Sequence, residues 1–366
     1  MEPIRIGIVG VGIIGKSHLR EWKEIGGVEV VAACDIDEAE RDRVADLYGI
    51  PHRYTQFREM LQRDDIDAVD VCVQNNLHAP ITIAALRAGK HVYCEKPMAG
   101  AYRDALEMYQ AALEADKHLH IQLSTLYSPE TRIAKRFIDA GRLGHIYHAR
   151  STGFRRRGRP FVDGYATKEF VQKEISAGGA MFDMGVYHLS QMLYLLGMPE
   201  VERVSGKIYQ ETGMDAHRRE VSGYSVEELG TGYVRLSGGL TLDIVEAWAI
   251  HLNGLEGSSI VGSKGGLRLE PLSFHSTEED IETNLTFEVG STNWRWHQLD
   301  SLLSHYDSSQ KHWKAALQGR VPLLPTAEIA LRTMLISEGI YLSDRLGREV
   351  TREEIEANAV STALKL

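Results

Sequence analysis

A chain of 366 residues has room for two domains at roughly 100–200 residues each, and it is long enough to bury a core without disulfide or metal staples. A formal net charge of -10 with no long run of one sign argues against nucleic acid as a general partner. Three scattered cysteines (Cys34, Cys72, Cys94) are too few for a disulfide framework or a Cys-based zinc site. The first residues lack a signal-peptide pattern, and no apolar stretch reaches the length of a membrane span, so the expectation is a cytoplasmic protein with no membrane partner and no metal.

The first 125 residues alternate apolar runs with helical patterns. Strands are expected at IRIGIV (4–9), VEVVAA (28–33), DAVDVCV (67–73), HVYC (91–94) and HLHIQL (118–123), with helices at about 13–24, 38–47, 56–62, 79–88 and 101–115. Short strands divided by such helices imply right-handed crossovers and a doubly wound parallel sheet. After about residue 125 the rhythm changes. A helix at about 129–140 precedes a strand, HIYHARST (145–152), then the basic stretch GFRRRGRPFVDGY and a helix at about 183–196. From 200 to 290 the alternation has period two, with SGG (237–239) and SKGG (263–266) as hairpin turns of an antiparallel sheet. A last helix at about 326–346 packs back. The layout is α/β at 1–125, followed by an α+β domain at 126–366 with a large, mostly antiparallel open sheet.

GIVGVGIIGKSHL (7–19) places Gly10, Gly12 and Gly15 between a strand and a helix opening near Ile13 and Ile14. In that setting Gly10 allows a tight turn, Gly12 lets the backbone approach a pyrophosphate, and Gly15 lets the helix pack closely. The free N–H groups of the helix start face the phosphate charge. An acid is due about 20 residues on, at the end of the second strand, and VVAACDID supplies Asp35. A carboxylate there binds the adenosine ribose and repels a 2′-phosphate. Ile36 follows rather than arginine, so NAD is favoured over NADP, and the first domain is expected to bind a dinucleotide.

GKHVYCEKPMA (89–99) sets Glu95, Lys96 and Pro97 directly after a parallel strand, at the sheet edge where such folds hold ligands. VCVQNNLHAP sets Asn75, Asn76 and His78 after the preceding strand. SAGGAMFDMGVYHLSQMLYLLG brings Asp183, Tyr187 and His188 together. With AALRAGKHVYCEKPMA, SPETRIAKRFIDAGRLGHIYHAR, IVGSKGGLRLE and AALQGRVPLLPTAEIALRTM, these motifs span nearly the whole chain. The sequence resembles the Gfo/Idh/MocA family of sugar and polyol oxidoreductases.

The resemblance implies that the first domain is a Rossmann domain, with the nicotinamide in the cleft between two domains, and an open sheet that makes a homodimer or homotetramer. It implies cofactor contacts at Gly10, Gly12, Ile13, Ile14, Asp35, Ile36, Asn75, Asn76, His78, Glu95 and Lys96. Lys96 matches the lysine that contacts the substrate hydroxyl, where a cation stabilises a developing alkoxide. Asp183 matches the acid of D-x-G-x-H, expected to orient the base. The histidine position of that motif is Tyr187 here, with His188 next to it. Position favours Tyr187 as the base and intrinsic pKa favours His188; position is given the preference, with His188 as a substrate contact or alternate base. Helical neighbours point about 100° apart, so one of them meets the reacting hydroxyl.

On the substrate side stand Tyr127, Arg155, Arg156, Arg157, Arg159, Lys168, Tyr187 and His188. The arginines suit an anionic group gripped bidentately, and NWRWHQ (293–298) carries two Trp that suit a sugar ring. The function implied is NAD-dependent hydride transfer at a hydroxyl carbon of a sugar, polyol or sugar derivative. The alternative is a redox-neutral, NAD-dependent glycoside hydrolase, with an anionic glycoside such as a sulfoquinovoside as candidate substrate. Lys96 and the Asp183 to His188 group together disfavour a non-catalytic NAD sensor.

Overall fold

Six short strands line up side by side in the computed structural model, which describes residues 2–365. They are β1 (Ile4–Val9), β2 (Val28–Cys34), β3 (His52–Tyr54), β4 (Ala68–Val71), β5 (His91–Cys94) and β6 (Leu119–Ile121). All pairings are parallel, in the order β3-β2-β1-β4-β5-β6. The crossovers carry α1 (Ile13–Ile25), α2 (Glu38–Tyr48), α3 (Phe57–Met60), α4 (Asn75–Arg87) and α5 (Tyr102–Ala115). The signals that start and stop them are local. The Asp37 side chain caps α2 by accepting the Glu40 N–H, and Gly49 ends it in the left-handed region at φ 70.

Two features depart from the sequence expectation. The first is β3, too short at three residues to show a period. The second is α4, which begins at Asn75, four residues before the expected start, and runs through Pro80. Proline has no N–H for the carbonyl four residues back. That carbonyl, of Asn76, instead accepts the Leu364 N–H at 3.0 Å.

The chain divides into two compact units. The first joins Met1–Gln122 to Ser304–Leu331 and Ser361–Leu366; the second joins Leu123–Leu303 to Arg332–Val360. Residues 304–331 belong to the first unit through aromatic packing. Trp313 lies 5.4 Å from Tyr93 and 5.8 Å from Trp22, ring to ring, and all three are buried. The Ile121 N–H also donates to Thr326 Oγ1 at 3.0 Å.

In the second unit nine strands form one sheet. They are β7 (Ile146–Phe154), β8 (Val201–Tyr209), β9 (Leu229–Leu236), β10 (Thr241–Ala247), β11 (Ser259–Gly262), β12 (Gly266–Leu269), β13 (Leu272–Glu278), β14 (Ile281–Thr286) and β15 (Val350–Thr351). The order is β14-β13-β12-β11-β7-β10-β9-β8-β15, antiparallel throughout except that β7 and β10 run parallel. Leu242, Ile244 and Glu246 of β10 are buried at every second position, as a half-buried strand requires. NWRWHQ lies on a helix, Val289–Leu299. There Trp294 is exposed and the Trp296 ring stacks under the Arg136 guanidinium at 4.0 Å.

Two histidines of the first unit hold their rings neutral. His91 Nδ1 accepts the His118 N–H at 3.0 Å, and His312 Nε2 accepts the Leu324 N–H at 2.9 Å. Burial first, then neighbouring histidines, pushes both pKa values down from 6.5 to about 4. The unfolded chain therefore takes up these protons at a higher pH than the folded one. Their contribution to stability is complete above pH 6.5 and is lost as the pH falls to about 4. Thermal melts across that window should show a steadily falling midpoint; a flat profile would contradict the assignment.

Candidate active site

The turn between β1 and α1 is shaped by what its glycines lack. Gly10 sits at φ +92, where a side chain would strain the backbone, and a Cβ there would strike the Cys72 carbonyl. A Cβ on Gly15 would collide with the Gly10 carbonyl, so the close approach of α1 to the turn needs glycine. Gly12 has none of the described residues within 4 Å of a Cβ position and leaves the backbone open. The α1 helix then starts at Ile13 with no side-chain cap and no acid in its first turn, and Ile13 and Ile14 are exposed. Its first N–H groups are the positive end of the helix dipole.

Asp35, at the end of β2, accepts the Val11 N–H at 2.9 Å and the Asp37 N–H at 3.0 Å, which fixes its carboxylate beside the glycine turn. Ile36 is 89% exposed. An open backbone, uncapped helix N–H groups and an oriented acid fit the pyrophosphate and ribose of a dinucleotide.

At the end of β5 the Glu95-Lys96-Pro97 turn is held from behind. Buried Glu95 accepts the Lys96 N–H at 3.0 Å on one oxygen, and the other lies 2.8 Å from His18 Nε2. His78 is fully buried between the Pro97 and Val73 carbonyls, at 2.8 and 3.0 Å from its two ring nitrogens. Asn76 is buried as well, and its side-chain oxygen accepts the Thr362 hydroxyl at 2.9 Å. Asn75 is half-buried at the first residue of α4. The structure therefore gives Glu95, His78 and Asn76 bracing contacts within the protein, where the sequence expectation had them touching cofactor.

In the second unit the SAGGAMFDMGVYH segment starts with a π-helical turn, Met181–Gly185, which leads into the helix Val186–Leu195. Buried Glu227 accepts the N–H groups of Gly179 and Met181 at 2.9 and 3.0 Å and anchors its start. Asp183 accepts the buried Trp248 indole N–H at 3.0 Å and has Arg155 at 3.5 Å. The Arg155 guanidinium also donates to the Tyr165 hydroxyl at 2.6 Å. Tyr187 is half-buried, and its carbonyl accepts the Thr125 hydroxyl at 3.0 Å.

His188 Nδ1 lies 3.0 Å from Glu246, a carboxylate with no exposed surface that also accepts the Ser151 hydroxyl. Gly153 stands opposite Glu246 in the β7–β10 ladder, and a Cβ there would come within 2.7 Å of His188 Nδ1. Glycine at 153 is what admits the ring. Burial opposes charge on His188, but the Glu246 carboxylate outweighs it and raises the pKa above the ordinary 6.5. The acid that orients His188 is thus Glu246 rather than Asp183, because the Asp183 carboxylate is turned to the Trp248 indole.

The arginine loop divides. Arg159 is 1% exposed and locked to Asp163, Glu228 and the Thr212 and Gly213 carbonyls, so it is a staple and not a ligand contact. Arg157 pairs with Asp163 at 3.0 Å. Arg156 and Lys168 are exposed, whereas Tyr127 is buried.

Residues 4–123 match the model of an oxidoreductase family with an NAD-binding Rossmann fold, and residues 131–268 match the GFO/IDH/MocA C-terminal domain. The chain belongs to the Gfo/Idh/MocA family. Its first unit is an NAD-binding Rossmann domain. Among relatives, the chain is 26% identical over 358 residues to D-glucoside 3-dehydrogenase of Escherichia coli K12, covering 95% of this chain and 97% of that protein. It is 25% identical over 364 residues to D-apiose dehydrogenase of Paraburkholderia graminis, covering 96% and 90%. The solved structure of levoglucosan dehydrogenase with NADH superposes with a TM-score of 0.79 at 21% identity, covering 96% of this chain and 99% of that one, a likeness of fold.

Within this Gfo/Idh/MocA chain, sequence reasoning missed Glu246, Trp248, Gly153 and His18. One local signal was available for Glu246: an acid at the inward position of TLDIVEA, in register with Leu242 and Ile244. For the cofactor site, Asp35→Ser combined with Ile36→Arg should move coenzyme preference from NAD toward NADP by about tenfold or more in binding titrations. An unaltered preference would remove Asp35 from the ribose contact.

Proposed function

We propose that this protein is an NAD-dependent dehydrogenase that oxidises a secondary hydroxyl on the ring of a sugar or glycoside, with His188 as the base. The observation that carries the reading is the His188–Glu246 pair. Glu246 takes the Nδ1 side of the imidazole and fixes its orientation. Nε2, which has no hydrogen-bond partner among the described residues, is left to accept the hydroxyl proton. The buried carboxylate also stabilises the imidazolium that forms on proton transfer. Bound NAD would supply the hydride acceptor, held by Gly10, Gly12, the start of α1 and Asp35. Lys96 would offer its ammonium to the developing alkoxide. Asp183, oriented by Trp248 and Arg155, would accept a neighbouring sugar hydroxyl.

The arginine loop supports a neutral substrate over an anionic one. Arg159 and Arg157 are matched by Asp163 and Glu228, and Arg155 already faces Asp183 and Tyr165. The two relatives similar over nearly their full lengths act on a glucoside and on apiose, in line with a neutral sugar.

Purified protein given NAD and a panel of neutral sugars, uronates and aryl glycosides should form NADH from a neutral sugar or glycoside without releasing aglycone. Aglycone release with no net NADH would replace the dehydrogenase with a redox-neutral glycosidase. His188→Gln should cost about a hundredfold or more in kcat. In the wild type, kcat/KM should rise with pH through a pKa above 6.5, since the base acts in its neutral form. Glu246→Gln removes the charge that raises this pKa, so that limb should move to lower pH while kcat falls. An unmoved limb would contradict the pairing.

A further inference from the structure

Lys96 stands at the end of a chain of buried charges. Its backbone N–H donates to one oxygen of Glu95 at 3.0 Å, and the other oxygen lies 2.8 Å from His18 Nε2. The second ring nitrogen, Nδ1, lies 3.0 Å from Asp70, which also accepts the Trp22 indole N–H at 2.7 Å. His18, Asp70, Glu95 and Trp22 are all buried. A neutral imidazole carries one N–H, so a ring with a carboxylate at each nitrogen satisfies both only when doubly protonated. The resulting imidazolium stands between two acids that would otherwise be buried without a cation.

His18, Asp70 and Cys72 bring three metal-ligand atoms within 4.8 Å of one another. A metal reading fails on the partners. The would-be ligand atoms are already taken, since Nδ1 and Asp70 bond each other and Asp70 also accepts the Trp22 indole N–H.

We propose that His18, acting through Glu95, is a positioning residue for Lys96: its imidazolium fixes the carboxylate that holds the Lys96 backbone. The inference rests on the assignment of Lys96 to the dehydrogenase reaction. The titratable groups around the His18–Glu95 pair are Asp70, Cys72, Tyr93, Cys94, His78 and Lys96. Burial alone would raise Glu95, but the hydrogen bond and charge of His18, with Lys96 beyond, hold its pKa below the usual carboxylate value. Burial likewise opposes charge on His18, and Cys72 and Asp70 override it. Without His18, Glu95 would lose the hydrogen bond and charge that hold its pKa down, and burial would push it up.

The test compares wild type, His18→Gln and Glu95→Gln. Both variants should melt cooperatively and bind NADH with a Kd within about threefold of wild type, while kcat falls by about tenfold or more. In His18→Gln the acid limb of kcat should also move to higher pH, a shift that general loosening of the fold would not produce. Folded variants with wild-type kcat and an unmoved limb would overturn the proposal.

Neutron diffraction from wild-type crystals at about pH 8, beyond the range where an ordinary histidine is charged, should place deuterium on both ring nitrogens of His18. A bare nitrogen would also overturn the proposal, whatever the variants do. Failure of the dehydrogenase reading itself is distinguishable, because it appears in the wild type as absent NADH formation from any sugar.

Discussion

A carboxylate taken out of water is tolerated only where donors or a cation meet it, and breaking such a pair leaves a buried charge that costs about 3–5 kcal/mol. Both units are organised around acids of this kind. In the first, Asp70 and Glu95 flank the His18 ring behind the Lys96 turn. In the second, Glu246 meets His188, Glu227 gathers the N–H groups at the start of the π-helical turn, and Glu228 meets Arg159. Each acid fixes one segment that bears candidate chemistry. Precision comes from burial here, because a buried charge tied to a few fixed partners has little freedom to wander.

The same constraint explains where small residues stand. Gly153 is bare because Glu246 and the His188 ring fill the space a side chain would take. Gly10 and Gly15 are bare because the turn and α1 pack against backbone carbonyls, while Gly12 is bare where none of the described residues comes within 4 Å of a Cβ position. Three glycines in one motif thus do two different jobs, two for packing and one for access.

Much of the first unit was legible, because its strands and helices carry strong local periods and its glycine turn sits between β1 and α1 in the expected order. The place of Asp35 at the end of β2, beside the glycine turn, was legible for the same reason. What escaped was set by distance along the chain. His18 reads as one more residue of an amphipathic helix, and its partners lie 52 and 77 residues further on. The assignment of residues 304–331 to the first unit depends on Trp313 meeting Trp22 and Tyr93, a contact with no local signature. The arginine run misled in the opposite direction. A cluster of like charges reads as an anion site, yet Arg159 is consumed by Asp163 and Glu228, which the sequence does not place beside it in any visible way. The choice between Tyr187 and His188 stayed open for want of Glu246, a lone acid on the inward face of a strand.

His188, held by Glu246, is the proposed base for a sugar hydroxyl. The most direct test is a crystal structure of the protein with NAD and the sugar that the panel identifies. In that structure the reacting hydroxyl should be hydrogen-bonded to His188 Nε2, with Nδ1 still on Glu246. A hydroxyl seated on the Tyr187 phenol, with His188 Nε2 out of its reach, would contradict that assignment.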